Sequence, residues 1–450
     1  MNVSRTRVTA AFGAVVLVAL HLWLARNRTD FLLADGTGYL ANARWLAGEA
    51  GTTWQGAAAF YHAGWSLLVA PAYAVTRSPD AIHTYVIVLN ALLAAGSALA
   101  CALVGRRLFG LSARWSLLAG LVAGTYPAVL LQSGFEWSES LYFLLFPLFA
   151  LAAHRLVSRP TVAAAVLTGL AAAALNATHP RGVGVVAATA LALVGFGALR
   201  RLPRREAAIA LGTLVLGFVA TRLLHGVLLD ALYDQSAAAI EGGVLSRLTE
   251  PRLVWATFER FWGQTWYLTA ATVGLAPLGV WTAARTLDRR VSLFVLGGAA
   301  LMLAASCLQM SDGTRVDHLV YGRYDEGFLP VLLVAAVAGL HRLTRTAVVV
   351  GAATLPLLGV LAVLFNGMDR FTGAVMPLNV LGVLVYERTR DEIVVLTVTA
   401  IATGVLVLLA ALHRVRAEAA VLLLVVGFVG SSAAVEARTL QPWSRPFMAA

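Results

Sequence analysis

Apolar residues run in blocks of about 17–20 along most of the chain, the length a helix needs to cross a bilayer, with short polar breaks between them. Thirteen blocks are predicted to be membrane-spanning helices: about 8–25, 81–104, 115–132, 140–154, 161–178, 183–199, 207–224, 265–284, 291–310, 327–341, 346–365, 393–412 and 418–436. The first follows Arg5 and Arg7 and has no small-x-small cleavage site before Arg26, so it reads as a retained anchor. In the stretch after it, Tyr39, Leu40, Ala43 and Leu46 recur at helical spacing over 37–48, which predicts a helix lying in the interface. Residues 63–76 predict a second one. No internal repeat, linker or soluble tail is visible. The expected fold is therefore all-α: one polytopic membrane domain over 1–450, with about 13 transmembrane helices, interfacial helices in the first outer loop and no soluble domain.

Composition agrees. The sequence is 59% hydrophobic and 13% charged, with mean hydropathy +0.78. Soluble domains are about half apolar and about a quarter charged, so a soluble globular protein is excluded, as are disordered, collagenous and disulfide-rich classes. The net charge of +11 comes entirely from arginine, since there is no lysine. No basic stripe with interleaved aromatics appears, which argues against nucleic acid as a partner. Cys101 and Cys307 lie inside apolar blocks and read as small core residues, with neither a disulfide framework nor metal spacing.

The positive-inside rule puts the amino terminus in the cytoplasm. The inner loops are then short and carry Arg106 and Arg107, Arg155 and Arg159, Arg200, Arg201, Arg204 and Arg205, Arg285, Arg289 and Arg290, Arg342 and Arg345, and Arg414 and Arg416. The inside holds 18 arginines and 3 acids, the outside 16 arginines and 20 acids, so the acids separate the two faces and the arginines barely do. Carboxylates near hydrocarbon need a solvated or functional reason to be there. Their concentration in the loops at 26–80, 225–264, 311–326 and 366–392 predicts an enzyme working at the outer surface of a membrane, expected to be a bacterial cell membrane.

Asp35 stands just ahead of the first interfacial helix. It reads either as an N-cap or as a catalytic carboxylate at the membrane rim. Glu136 and Glu139 open the fourth span, where acids favour the helix dipole, yet Glu139 heads an otherwise apolar helix and should face water or a partner. In the short loop His179-Pro180-Arg181-Gly182, Arg181 either snorkels to lipid headgroups or binds a phosphate or carboxylate bidentately. The loop at 311–326 crowds Asp317, His318, Tyr321, Arg323, Tyr324, Asp325 and Glu326 ahead of the tenth span. Tyr321 and Tyr324 fit an aromatic belt, while Arg323 between them suits an anionic lipid head. The loop at 366–392, with Asp369, Arg370, Tyr386, Glu387 and Arg388, reads as a surface cover.

No phosphate-binding glycine loop, His-Glu-x-x-His or Gly-x-Ser-x-Gly motif is present. A cytosolic nucleotide-sugar enzyme is therefore disfavoured. An external enzyme needs an activated donor that crosses the membrane, and a polyprenyl-phosphate conjugate meets that need.

At these residues the chain resembles the polytopic GT-C glycosyltransferases, including protein O-mannosyltransferases and aminoarabinose transferases of lipid A. Their first outer loop carries an acid followed by a helix of the form Asp-x-x-x-Tyr-x-x-x-Ala-Arg, matched here by Asp35, Tyr39, Ala43 and Arg44. Tyr61-His62-Ala63-Gly64-Trp65, ending near Pro71, is similar to the family's Pro-Gly-Tyr segment. Gly105-Arg106-Arg107-Leu108-Phe109-Gly110 resembles its turn after the second span, Ser138-Glu139 its Ser-Glu or Thr-Glu, and His179 to Gly182 its Pro-Arg-Gly loop. The likeness covers roughly residues 1–200, which makes 1–200 the expected catalytic half and 201–450 further helices with outer donor and acceptor loops. The paired acids of many members become a lone Asp35 followed by Gly36, so no metal ligands are assigned and a divalent metal stays open as a cofactor.

The resemblance implies inverting transfer of a sugar from a polyprenyl-phosphate donor to the hydroxyl of a lipid, glycan or protein acceptor at the outer leaflet. Asp35 is the expected general base. Arg181 and Arg323 would neutralise the leaving phosphate. His179, Tyr321 and Tyr324 would orient the donor, Glu139 would hold a sugar hydroxyl or position an arginine, and Tyr39, Tyr61, His62 and Asp317 complete the expected substrate-binding set. Two other readings fit less well: a ligase or polymerase using a diphosphate-linked glycan, and a lipid or sugar transporter, against which stand the lack of charge at mid-depth and of repeated halves.

Overall fold

A computed structural model describes residues 3–26, 34–49, 61–233, 246–342, 345–373, 375–386 and 393–444. These residues are overwhelmingly helical. The first outer region holds α2 (Ala34–Leu46) and α3 (Ala63–Val75), after the amino-terminal α1 (Val3–Ala25). Then come α4 (Pro79–Arg107), α5 (Ala113–Gly124), α6 (Pro127–Gln132), α7 (Glu139–Ser158), α8 (Val162–Thr178), α9 (Val183–Ala198) and α10 (Arg204–Leu232). The second half contains α11 (Pro251–Ala271), α12 (Leu275–Thr286), α13 (Arg289–Gln309), α14 (Leu329–His341), α15 (Arg345–Asn366), α16 (Val395–Val415) and α17 (Ala417–Val435).

Local chemistry sets several of these boundaries. Ser78 caps α4 by accepting from the Ala81 N–H, with Pro79 at the first helical position, and Ser112 and Thr161 cap α5 and α8 in the same way. Two of the expected spans are broken. The block at 115–132 divides into α5 and α6 at Tyr126, which precedes Pro127 and so leaves the helical region. The block at 265–284 divides into α11 and α12, bent by 96°, where Val273 and Gly274 both take positive φ. Thr272 bridges that break, donating to the Leu268 carbonyl and accepting from the Ala276 N–H.

Both breaks meet at one carboxylate. Glu326 accepts from Tyr126 Oη at 3.2 Å, Tyr267 Oη at 2.5 Å and Gln132 Nε2 at 2.7 Å. Gly382 donates its N–H to Tyr267 Oη, so a loop from the far end of the sequence is drawn to the same point.

By length and composition, eight described helices can each cross a membrane, or nine if the bent pair counts as one span. Four further apolar helices are shorter, among them Val162–Thr178 and Ala63–Val75. The chain is thus a multi-pass membrane protein, although thirteen full-length spans are not what these lengths give. The expected alternation of loops is nonetheless visible as two rims. At one, Arg342 donates to the Phe109 carbonyl, Arg290 to the Arg201 carbonyl, and Arg114 pairs with Glu418. At the other, Arg247 pairs with Asp312, Arg370 with Glu259, and Tyr233 donates to Asn42. Each contact joins loops expected on the same side. Small residues let the helices approach closely; a Cβ on Gly120 would lie 2.4 Å from the Ala98 carbonyl oxygen of α4.

Candidate active site

The acidic rim gathers side chains from four distant segments. Asp35 lies inside the first turn of α2, one residue in, and is not the residue ahead of the helix that the sequence suggested. The helix also begins and ends earlier, at Ala34 and Leu46. Tyr39, one turn on, packs its ring edge-on against Tyr61 and Trp65 at 5.2 and 5.7 Å. Tyr61 donates to Asp35 Oδ1 at 3.0 Å. The approach is so close that a Cβ on Gly38 would fall 2.2 Å from the Tyr61 ring.

Arg323 joins this segment to the start of α7. Its Nε donates to Glu139 Oε1 at 2.7 Å, and one of its terminal nitrogens donates to Asp35 Oδ2. Its guanidinium lies 3.8 Å over the ring of Trp137, a cation–π contact in a water-poor setting. Burial works against its charge, but Glu139 and Asp35 outweigh that and hold its pKa well above the usual arginine value. The same surroundings push Tyr39 upward, by burial first and then by the Glu139 charge. Tyr61 is raised by burial and then by Asp35. Both phenols therefore stay protonated and are not bases; Tyr61 is the one that donates to the carboxylate.

Arg181 approaches from the turn between α8 and α9. Its Nη1 donates to the Arg323 backbone carbonyl at 2.8 Å and lies 3.9 Å from Glu139 Oε1. Its guanidinium faces Tyr142 at 4.3 Å. The snorkelling alternative does not hold, because the Arg181 side chain is 2% exposed, beside Glu139 at 0% and Arg323 at 5%. Asp35, at 37%, is the member of the cluster that opens outward. Arg181 Nε and Nη2 are buried with no hydrogen-bond partner among the described residues, and so is Glu139 Oε2.

The other expected site residues fall around this cluster in different ways. His179 caps the 180–182 turn, its Nδ1 accepting from the Arg181 N–H at 3.3 Å, which puts its proton on Nε2. Burial, then the charges of Arg181 and Arg323, hold its pKa well below the ordinary histidine value. Its ring meets Tyr324 at 4.9 Å, and Tyr324 meets Tyr321 at 4.6 Å. Tyr321 is buried in the protein and does not form part of a lipid-facing belt. His62 is set back from the carboxylates: its Nδ1 contacts the Asn176 carbonyl oxygen at 2.5 Å, and its ring lies 4.5 Å from His225. Asp317 is occupied structurally, accepting from Arg315 at 2.8 Å and from Asn379 Nδ2 at 2.7 Å.

Asn379 and Trp137 were not expected, and Ser138 stood out only as the partner of Glu139 in the Ser-Glu pair. Asn379 accepts from the Gly322 and Arg323 N–H groups through its carbonyl and so fixes the loop that carries the arginine. Ser138 donates to Tyr39 Oη at 2.8 Å. Through Asn379 the described part of the 366–392 loop braces the site; Glu387 and Arg388 lie outside the described residues. Glu136 turns away to His83. Cys101 and Cys307 are free and buried, as expected.

Among the described residues, no group of three or more His, Cys, Asp or Glu side chains is placed to hold a metal ion. Asp35 and Glu139 converge on a guanidinium, and both Asp35 oxygens are engaged. As arranged, these residues do not fit a divalent cation. The cluster can instead bind an anion at Arg181 and present a carboxylate at Asp35.

No family model matches the sequence, and no curated protein matches it. Solved structures do. ArnT from Cupriavidus metallidurans, bound to undecaprenyl phosphate, superposes with a TM-score of 0.54 at 16% identity, covering 95% of this chain and 77% of that one. The arabinosyltransferase EmbB from Mycobacterium smegmatis gives 0.47 at 16% identity, over 95% of this chain and 41% of that one. The chain has the fold of the GT-C glycosyltransferases.

Proposed function

We propose that the protein is a membrane glycosyltransferase that takes a sugar from a polyprenyl-phosphate donor and transfers it, with inversion, to an acceptor hydroxyl at the outer face. The observation that carries this reading is Arg181: two of its guanidinium nitrogens are buried and unpartnered beside a carboxylate–arginine cluster. A buried cation with unused donors is costly unless a ligand completes it. Phosphate is the oxyanion that a planar guanidinium fits best. The undecaprenyl phosphate in the ArnT structure supports the same donor class.

In this reaction Asp35 removes the proton from the acceptor hydroxyl as the acceptor oxygen bonds to the anomeric carbon. The bond from that carbon to the phosphate oxygen breaks, and its electron pair leaves with the phosphate. Arg181 stabilises the charge that grows there. Arg323, already shared by Asp35 and Glu139, acts first as organiser: it keeps Asp35 aimed, and its second link holds Glu139 at the sugar. Tyr61 steadies the other Asp35 oxygen. His179, neutral and fixed against Tyr324, orients the donor with Tyr321. On this reading residues 1–200 supply the base and the phosphate site, while the later half contributes Arg323. The amino terminus is cytoplasmic.

The test is to incubate the purified protein with a panel of polyprenyl-phosphate sugars and measure released polyprenyl phosphate. Release with one of them, dependent on Arg181, is the expected result. Absence of release or binding across the panel would contradict the reading.

A further inference from the structure

One buried acid beside the site has no duty in the reaction above. Asp325 follows Tyr324, in a turn closed by its own N–H on the Gly322 carbonyl at 2.7 Å. Its side chain is fully buried, and neither carboxyl oxygen has a hydrogen-bond partner among the described residues. A lone ionised carboxylate away from water is costly, and such a group keeps its proton instead. Burial accordingly pushes its pKa well above the usual carboxylate range, with Arg181 pulling the other way.

The segment is pressed into the surroundings of Arg181. A Cβ on Gly327 would lie 2.5 Å from the Tyr142 ring, and Arg181 faces that same ring at 4.3 Å. A Cβ on Gly184 would lie 2.5 Å from the Met302 backbone nitrogen, so the turn carrying Arg181 runs straight into a helix packed on α13, which brings Ser306. The polar groups that act on Asp325 or feel its charge are Arg181, Tyr142 of α7, Ser306 and Cys307 of α13, and Glu326 next in the chain. Three of them are engaged elsewhere. Tyr142 Oη donates to Met302 Sδ, Cys307 Sγ donates to Gln264 Oε1, and Glu326 accepts from Tyr126, Tyr267 and Gln132. Unspent are Asp325 itself, the Ser306 hydroxyl and two nitrogens of Arg181.

A phosphate joined to both a prenyl chain and a sugar is a diester with a single negative charge. Arg181 balances that charge, and an ionised carboxylate next to it would repel the ligand. A carboxylic acid, by contrast, adds a hydrogen-bond donor and no charge. Asp325 with its proton therefore suits the ligand that the open nitrogens of Arg181 call for.

We propose that Asp325 is a donor-binding residue, its carboxylic O–H donating to the phosphate that Arg181 holds. This rests on the glycosyl-transfer reading, and its test is chosen so that the two failures can be told apart. The purified protein in dodecyl maltoside is titrated calorimetrically with farnesyl methyl phosphate, a diester that lacks the second ionisation of a phosphomonoester near about pH 6. Binding traps a proton that the free site sheds as pH rises, so wild-type affinity should fall at least about tenfold between about pH 6 and about pH 9. Asp325→Asn keeps a neutral donor; its affinity should hold across that range and exceed wild type at the upper end. Asp325→Val should bind at least about tenfold more weakly than wild type at the lower end. Wild-type affinity that ignores pH, or Asp325→Val equal to wild type, overturns the role of Asp325 alone. So does a loss with rising pH that persists in Asp325→Asn. Should Asp325→Val not fold, the wild-type and Asp325→Asn profiles decide by themselves. Failure of wild type to bind the diester at either pH overturns the donor reading, and the role of Asp325 with it.

Discussion

Arg181 Nη1 donates to the backbone carbonyl of Arg323 at 2.8 Å, across 142 positions of sequence. The bond fixes one arginine by the main chain of the other. It leaves Arg181 Nε and Nη2 without partners, while the Arg323 side chain is spent on two carboxylates. The two cations therefore have different duties.

If Arg181 holds a phosphate, its geometry matters as much as its charge. Arg181→Lys is expected to lower turnover almost as far as Arg181→Ala, by about 10²–10³-fold, the usual cost of removing a transition-state donor. An ammonium cannot keep the Arg323 carbonyl bond and also present two parallel donors. Turnover close to wild type in the lysine variant, measured at saturating donor, would reduce Arg181 to a loop anchor.

Arg323 is expected to be structural as well as organising. Arg323→Met leaves buried Glu139 without its hydrogen-bonded cation, with only Arg181 at 3.9 Å, a change that costs up to about 3–5 kcal/mol. Adding Glu139→Gln removes the stranded charge and should recover much of the Tm without restoring turnover. A double variant no more stable than the single one would show that the Glu139 pair does not hold this region together.

Two histidines, His179 buried and His318 half-buried, predict how stability depends on pH. Burial lowers the pKa of His179 and of His318, so the folded protein binds fewer protons there than the unfolded chain, whose histidines titrate near about 6.5. Stability should therefore rise with pH toward that value and fall as pH drops below it. Asp325, pushed upward by burial, acts in the opposite sense, so the difference between wild type and variant isolates the histidines. His179→Asn/His318→Asn should lose less Tm between pH 7.5 and pH 5.5, about two units spanning the histidine range. An unchanged acid loss would contradict the assignment.

Much of the fold was legible because hydrophobic blocks and capping residues are local signals. The blocks at 81–104 and 291–310 correspond to α4 and α13 within a few residues. The breaks were harder to see. Tyr126 before Pro127 is a visible signal inside an apolar run, whereas the left-handed Val273 gives none. At the site, Asp35, Glu139, Arg181 and Arg323 stood out as charges at the ends of apolar helices. Their separate duties depend on which atoms pair across distant loops, and spacing does not encode that. Asn379 was invisible for the same reason: its contribution is mainly a backbone carbonyl. Asp317 looked like the other loop acids, yet Arg315, two residues away, already takes both its oxygens.

Asp35→Asn tests the account most directly. Asparagine fits the start of a helix about as well as aspartate. Asp35 accepts from both Tyr61 and Arg323, and an asparagine carbonyl can keep only one of these two bonds. It cannot take a proton from an acceptor hydroxyl. Transfer rate, donor affinity and Tm should be measured together for wild type and Asp35→Asn in one detergent. The expected result is a rate lower by about 10²–10⁴-fold, with donor affinity nearly unchanged and a modest fall in Tm from the lost Arg323 link. A variant that transfers sugar at the wild-type rate would contradict the account, since Asp35 would then be no base.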